Sequence, residues 1–143
     1  MASHQDANIL MQLYDLRREE RMRKARAFVT LLYSAENLED HLKKCPPTSD
    51  ESAMFRQAVT YWEMAASIVK SGALDEKMFF ENSSELFVTW EKVKHLVREM
   101  RLVQKNPFLW HNLETIAGRY EQFINGRAPE AIAALRQRFG IRA

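Results

Sequence analysis

Apolar residues recur at intervals of three and four positions along most of this 143-residue chain. This spacing matches the 3.6 residues per turn of an α-helix, whereas a half-buried strand alternates with a period of two. The sequence therefore predicts an all-α fold. Its clearest stripe contains Leu86, Trp90, Val93, Val97 and Met100.

Helix-breaking residues support the same interpretation, because only four Gly and four Pro occur and nearly all of them fall between predicted helices. Pro46-Pro47 ends a short helix, and Gly72 suits the left-handed position that closes the next one. Asn106-Pro107 is predicted to open a further helix as N-cap and first residue. Gly118 lies within a predicted helix, which indicates close approach of a neighbouring backbone.

These boundaries predict an irregular helical bundle of five to seven helices in a single domain spanning residues 1–143. The length is sufficient for one hydrophobic core. A long N-terminal helix is expected from about Asp6 to Ser34, a loop at 45–50, and a short C-terminal helix with a tail at 127–143. The helices around Trp62, Trp90 and Ile116 are expected to form the core.

Composition excludes some classes of protein and disfavours others. No stretch approaches the roughly 18 to 20 apolar residues of a spanning helix, so no transmembrane segment is predicted. A formal charge of +2 is too balanced to imply a nucleic-acid partner by itself. The single cysteine, Cys45, cannot form an intramolecular disulfide, and the N-terminus does not resemble a secretory signal. We therefore expect a cytoplasmic protein.

Motifs for common chemistries do not occur in the sequence. There is no Glu-x-x-His pair for a di-iron site, no glycine-rich phosphate loop and no nucleophile elbow. No catalytic, metal-binding or cofactor-binding residue is therefore assigned, no cofactor is expected, and an enzyme is disfavoured. Cys45 follows His41, Lys43 and Lys44, which favours a reactive thiolate, but a half-buried structural thiol is the preferred interpretation.

A basic run on the first predicted helix is the most distinctive surface feature. Glu19 and Glu20 are interleaved with it at spacings that form intrahelical ion pairs, so a solvated helix face is the preferred interpretation. Binding to nucleic acid or another anionic surface is the alternative. The basic residues are Arg17, Arg18, Arg21, Arg23, Lys24 and Arg26.

Glu63 flanks the wide apolar face of the third predicted helix, beside Trp62. A partly buried carboxylate requires a partner. We expect Arg98 or Arg101 to supply it as a polar pair in the core. A small-ligand or enzymatic pocket near Glu63 and Trp90 is a further alternative.

The leading functional hypothesis comes from the divided stripe of the first helix. One half is expected to pack on the core, while Ile9, Leu13 and Leu16 reach a partner. The sequence thus predicts a non-enzymatic interaction protein that self-associates as a homodimer through its N-terminal helix.

The chain also resembles a family of small bacterial all-helical proteins classed as a domain of unknown function. The resemblance rests on Tyr61-Trp62-Glu63, on Val69 to Asp75, and on Phe80, Trp90, Arg98, Arg101 and Asn106-Pro107, and it covers about residues 10 to 120. It implies an all-helical fold and carries over no catalytic or cofactor residues.

Overall fold

A computed structural model describes residues 1–142, and these residues contain eight α-helices and one π-helical segment. The all-α prediction is confirmed, but the predicted count of five to seven helices is too low. The α-helices are α1 (His4–Arg17), α2 (Glu20–Ala27), α3 (Leu38–Lys44), α4 (Asp50–Lys70), α5 (Glu76–Asn82), α6 (Glu85–Val103), α7 (His111–Arg127) and α8 (Ala131–Arg138), and the π-helical segment is Phe28–Leu32.

The prediction of one long first helix is wrong, because a turn separates α1 from α2. The Glu19 carboxylate accepts hydrogen bonds from the backbone N–H groups of Arg21 and Met22, so Glu19 acts as the N-cap of α2. The Arg26 guanidinium donates to the carbonyl of Arg17 at 3.1 Å and so satisfies the end of α1. The turn between α1 and α2 is therefore formed by Arg18 and Glu19.

The second departure is the π-helical segment that extends α2. Tyr33 N–H donates to the carbonyl of Phe28 at 2.8 Å, five residues back. Val29 is fully buried here, whereas Leu31 and Leu32 are 67% and 77% exposed. The segment contacts α4 and α6, and Tyr33, which follows it, is buried in the core.

Helix α4 is the centre of the fold, because it packs on α2, α6 and α7. Ser49 caps its start by accepting from Ser52 N–H at 3.0 Å, and Gly72 follows its end with a φ of 86°. The buried cluster around it extends from Leu13 to Ile132. Its largest fully buried side chains are Trp62, Phe55, Phe79, Phe87, Leu74, Leu86, Leu96, Leu113 and Ile116.

Two predictions at the C-terminal half are corrected. Asn106 and Pro107 form a turn instead of opening α7, since Asn106 Oδ1 accepts from Phe108 N–H at 3.0 Å and α7 begins only at His111. Within the described residues, a Cβ placed on Gly118 has no other element within 4 Å. The predicted close approach at Gly118 is therefore wrong.

Candidate interaction surface

One face of α6 combines positive charge with apolar groups. Lys94, Arg98, Arg101 and Lys105 follow one another at spacings of four, three and four residues, so they form a ridge on one side of the helix and its end. The indole of Trp90 lies on the same face and is only partly buried. The sequence contains this basic spacing. It is hard to recognise there, because the basic face of α6 lies directly beside the apolar face.

The basic ridge borders a groove of about 840 Å³ between α6 and the start of α7. Val97, at 3% exposure, and the half-buried Trp90 form its floor, while Arg98 and Lys105 are exposed at its edge. We call this feature the α6–α7 groove. It is lined by Trp90, Lys94, Val97, Arg98, Arg101, Leu102, Lys105, Pro107 and Glu114.

The turn at the end of the groove exposes large apolar side chains. Leu102, Val103 and Phe108 are 75%, 69% and 72% exposed. The turn is held in place, because Arg101 Nε donates to the carbonyl of Leu109 at 2.9 Å and Asn106 N–H donates to the carbonyl of Arg101 at 3.0 Å. Exposed apolar side chains that lie close together in this way are candidates for a contact surface.

Only part of the positive charge at the groove is neutralised internally. Lys94 pairs with Glu91, and Arg101 pairs with Glu114 at 3.0 Å. Over residues 1–142, no carboxylate lies within 4.0 Å of the cationic groups of Arg98 and Lys105. The groove therefore presents an apolar floor below uncompensated positive charge.

The predicted core pair of Glu63 with Arg98 or Arg101 is wrong. Glu63 accepts from the backbone N–H of Leu113 at 2.8 Å and from the side-chain amide of Asn112 at 2.7 Å. Its carboxylate thus caps the start of α7, where the left-handed Trp110 provides no side-chain cap. Trp90 lines the α6–α7 groove, and Glu63 is not among the residues that line it.

The predicted basic face from Arg17 to Arg26 is divided by the break between α1 and α2. Arg21 pairs with Asp50 at 2.5 Å, and Arg26 forms a bidentate pair with the Glu85 carboxylate at 2.6 and 2.9 Å. Trp62 Nε1 donates to the same carboxylate at 3.2 Å. Arg26 therefore belongs to a half-buried network.

The other basic residues of that segment lie elsewhere. Arg17 and Arg18 lie over the ring of Tyr14, 5.2 and 5.5 Å from its centroid, and Lys24 pairs with Glu20 within the helix. Arg23 is exposed. The six residues do not form a continuous cationic surface.

The predicted self-association stripe on α1 is also divided. Leu13 is 5% exposed, and its carbonyl accepts a hydrogen bond from the Tyr61 hydroxyl. Ile9 packs on the core, whereas Leu16 is 54% exposed. Two residues of the stripe thus pack within the chain. The outward side of α1 exposes Met11 and Tyr14 instead.

Cys45 is buried and does not have the environment of a nucleophile. Burial raises its pKa to about 11, because desolvation opposes formation of the thiolate. Within the described part of the chain, no three His, Cys, Asp or Glu side chains are grouped as metal ligands.

The described residues form an all-helical fold with a groove that combines basic and apolar side chains. A protein-family profile described as Domain of unknown function (DUF4760) matches residues 2–120. The chain belongs to this family.

Neither the curated proteins nor the solved structures contain a match to this chain. The described helices include none that is both long enough and apolar enough to span a bilayer.

Proposed function

We propose that this protein is a non-enzymatic interaction protein and that the α6–α7 groove is its partner site. The observation that supports this most is the combination of exposed Leu102 and Phe108 with the uncompensated charges of Arg98 and Lys105. Leaving large apolar groups in water is unfavourable, and a partner surface that buries them gains that free energy. Aromatic residues and arginine are also enriched in such interfaces.

The shape of the groove favours a partner helix over a flat surface. Trp90 and Val97 lie below a cationic edge, so only a convex apolar ridge reaches them. From Trp90 to Leu102 the groove follows about 18 Å of helix, which is roughly three turns. We therefore infer that the partner is an amphipathic helix with apolar residues on one face and carboxylates beside them.

Fluorescence anisotropy with two synthetic peptides tests this proposal. Both are amphipathic helices of about 15 residues with leucines spaced three and four apart. One carries Glu beside the apolar face, and the other carries Lys at the same positions. We expect the acidic peptide to bind at least about tenfold more tightly than the basic one, with an affinity that falls as salt increases.

Variants distinguish the groove from general charge attraction. Arg98→Glu with Lys105→Glu should weaken acidic-peptide binding at least about tenfold, whereas Arg23→Glu on α2 should leave it unchanged. Equal binding of the two peptides, or unchanged binding by the groove variant, would contradict the proposal. Binding to phosphatidylserine vesicles without binding to the acidic peptide would contradict it in favour of a membrane partner.

Self-association through α1 is a second candidate function. It is supported by Met11, Tyr14 and Leu16, which are 64%, 46% and 54% exposed on a helix that packs mainly through Leu13. Light scattering tests it with Leu16→Asp, since Leu13→Asp would disturb the core. A dimer that Leu16→Asp converts to monomer supports this function, and a monomer at all concentrations would oppose it.

A cytoplasmic location is also part of the proposal. It is supported by the free, buried thiol of Cys45, which is typical of a reducing compartment.

A further inference from the structure

A second concave site lies on the other side of Lys94, between α3, α6 and the C-terminal residues. Its volume is about 850 Å³, which is within the range of small-molecule sites. Ser34, Lys44, Lys92, His95 and Ile141 are among its lining residues. We call it the Lys92 cleft.

Lys92 is the unusual residue of this cleft, because its side chain is only 8% exposed. An ammonium group has three N–H donors, and over residues 1–142 its one hydrogen bond is to the carbonyl of Tyr33, at 3.4 Å. Burial lowers the pKa of Lys92 from its ordinary value. A buried cation with so few acceptors is unfavourable unless another group supplies them.

Neighbouring carboxylates do not supply these acceptors. Glu91 pairs with Arg136 at 2.5 Å and with Lys94, and Asp40 pairs with Lys44 at 3.1 Å. Glu36 is exposed at the edge of the cleft. Within the described chain, no carboxylate oxygen comes within 4.0 Å of Lys92 Nζ.

The rest of the cleft is arranged around this ammonium group. The Tyr33 carbonyl that Lys92 contacts follows the π-helical segment, and the Tyr33 hydroxyl is fixed by His41 at 2.8 Å. The His95 ring bonds the carbonyl of Ala35 on the same wall. Lys44 Nζ donates to the carbonyl of Ser34 at 2.6 Å. These contacts hold the walls in place, and among residues 1–142 Lys92 Nζ still has the Tyr33 carbonyl as its one acceptor.

We propose that the Lys92 cleft binds a small ligand through a carboxylate or phosphate group, whose oxygens accept hydrogen bonds from Lys92 Nζ. An oxyanion supplies both the negative charge and the acceptors that the buried ammonium lacks. Arg142 adds a further cation at the same cleft, where Lys44 and Lys94 offset the charges of Asp40 and Glu91 with which they pair. Lys94 borders both this cleft and the α6–α7 groove, but the proposal does not depend on the partner proposed for the groove.

The experiment uses inorganic phosphate and acetate as probes, with chloride at the same ionic strength as the reference. The signal of the Lys92 ammonium group is followed by ¹H–¹⁵N NMR of the full chain, and thermal unfolding is measured in parallel. We expect phosphate or acetate to shift the Lys92 signal saturably and to raise Tm relative to chloride. A response to phosphate alone indicates a phosphate site, and a response to acetate alone indicates a carboxylate site.

Lys92→Met removes the charge at nearly constant volume, and Lys77→Met on the exposed surface of α5 is the matched control. The Lys92 variant should lose the anion-dependent rise in Tm, and the Lys77 variant should keep it. A Lys92 signal that neither anion shifts would overturn the proposal, whatever the stability of the variants. An anion response that survives in Lys92→Met would also overturn it.

Discussion

The carboxylate of Glu63, in the middle of α4, accepts a hydrogen bond from the backbone N–H of Leu113 at the start of α7. The two residues are fifty positions apart in sequence, and their bond fixes where α7 begins. Because α7 has no local side-chain cap, its first turn depends on this contact with another helix.

Replacing Glu63 by Ala should destabilise the fold by about 1 to 2 kcal/mol, since a helix N-cap is lost and Asn112 loses its acceptor. The free energy of unfolding from urea titration measures this change. A double-mutant cycle with Asn112→Ala should show a favourable coupling between the two positions.

Arg98→Ala is the control for this prediction, because Arg98 is exposed and does not contact Glu63. Its effect should stay within about 0.5 kcal/mol. A loss from Arg98→Ala as large as that from Glu63→Ala would contradict the assignment of Glu63 as the cap of α7.

Two glycines form a matched test of the backbone. Gly72 has a φ of 86° after α4, so Gly72→Ala should cost about 1 kcal/mol. Gly118 lies inside α7 with open space where a Cβ would stand, so Gly118→Ala should stabilise by roughly 0.5 to 1 kcal/mol. Urea unfolding gives both values. The reverse order of stability would show that the helix boundaries are misplaced.

The buried His41 predicts a dependence of stability on pH. Its Nδ1 is hydrogen bonded to the hydroxyl of Tyr33, and burial lowers the pKa of His41 below its ordinary value. The unfolded chain therefore takes up a proton at a higher pH than the folded chain. The stabilising contribution of neutral His41 is present above about pH 6.5 and is lost as pH falls through the lowered pKa of the folded state.

Urea unfolding between about pH 7.5 and about pH 5.5 measures this effect. The decline in stability should be smaller in His41→Gln than in the natural sequence. His4→Gln, at the exposed N-terminus, should keep the full decline. If His41→Gln retained the full decline, another group would be responsible for it.

The fold could be predicted from the sequence to the extent that local periodicity determines it. Leu86, Val93 and Val97 of the predicted stripe lie on the buried side of α6, whereas Trp90 is only half-buried. The turn between α1 and α2 at Glu19 was indicated in the sequence by the polar residues around it. Its side-chain cap was not expected, because Glu is not among the usual N-cap residues.

The candidate sites depend on contacts between distant segments, and periodicity does not encode these. The partner of Glu63 is a backbone group, which sequence composition cannot indicate. The groove depends on the turn after α6, which places Pro107 in the same groove lining as Leu102. The sequence does not distinguish Lys92 from other lysines, because a lysine near an apolar stripe normally extends its charge to solvent.

Chemical-shift mapping of the acidic amphipathic peptide on the ¹⁵N-labelled protein tests the central proposal most directly. We expect the perturbed backbone amides to cluster in residues 90–108 and at the start of α7, with Leu102, Lys105 and Phe108 among the largest. Perturbations confined to α1, or an unchanged spectrum at saturating peptide, would contradict the assignment of the α6–α7 groove as the partner site.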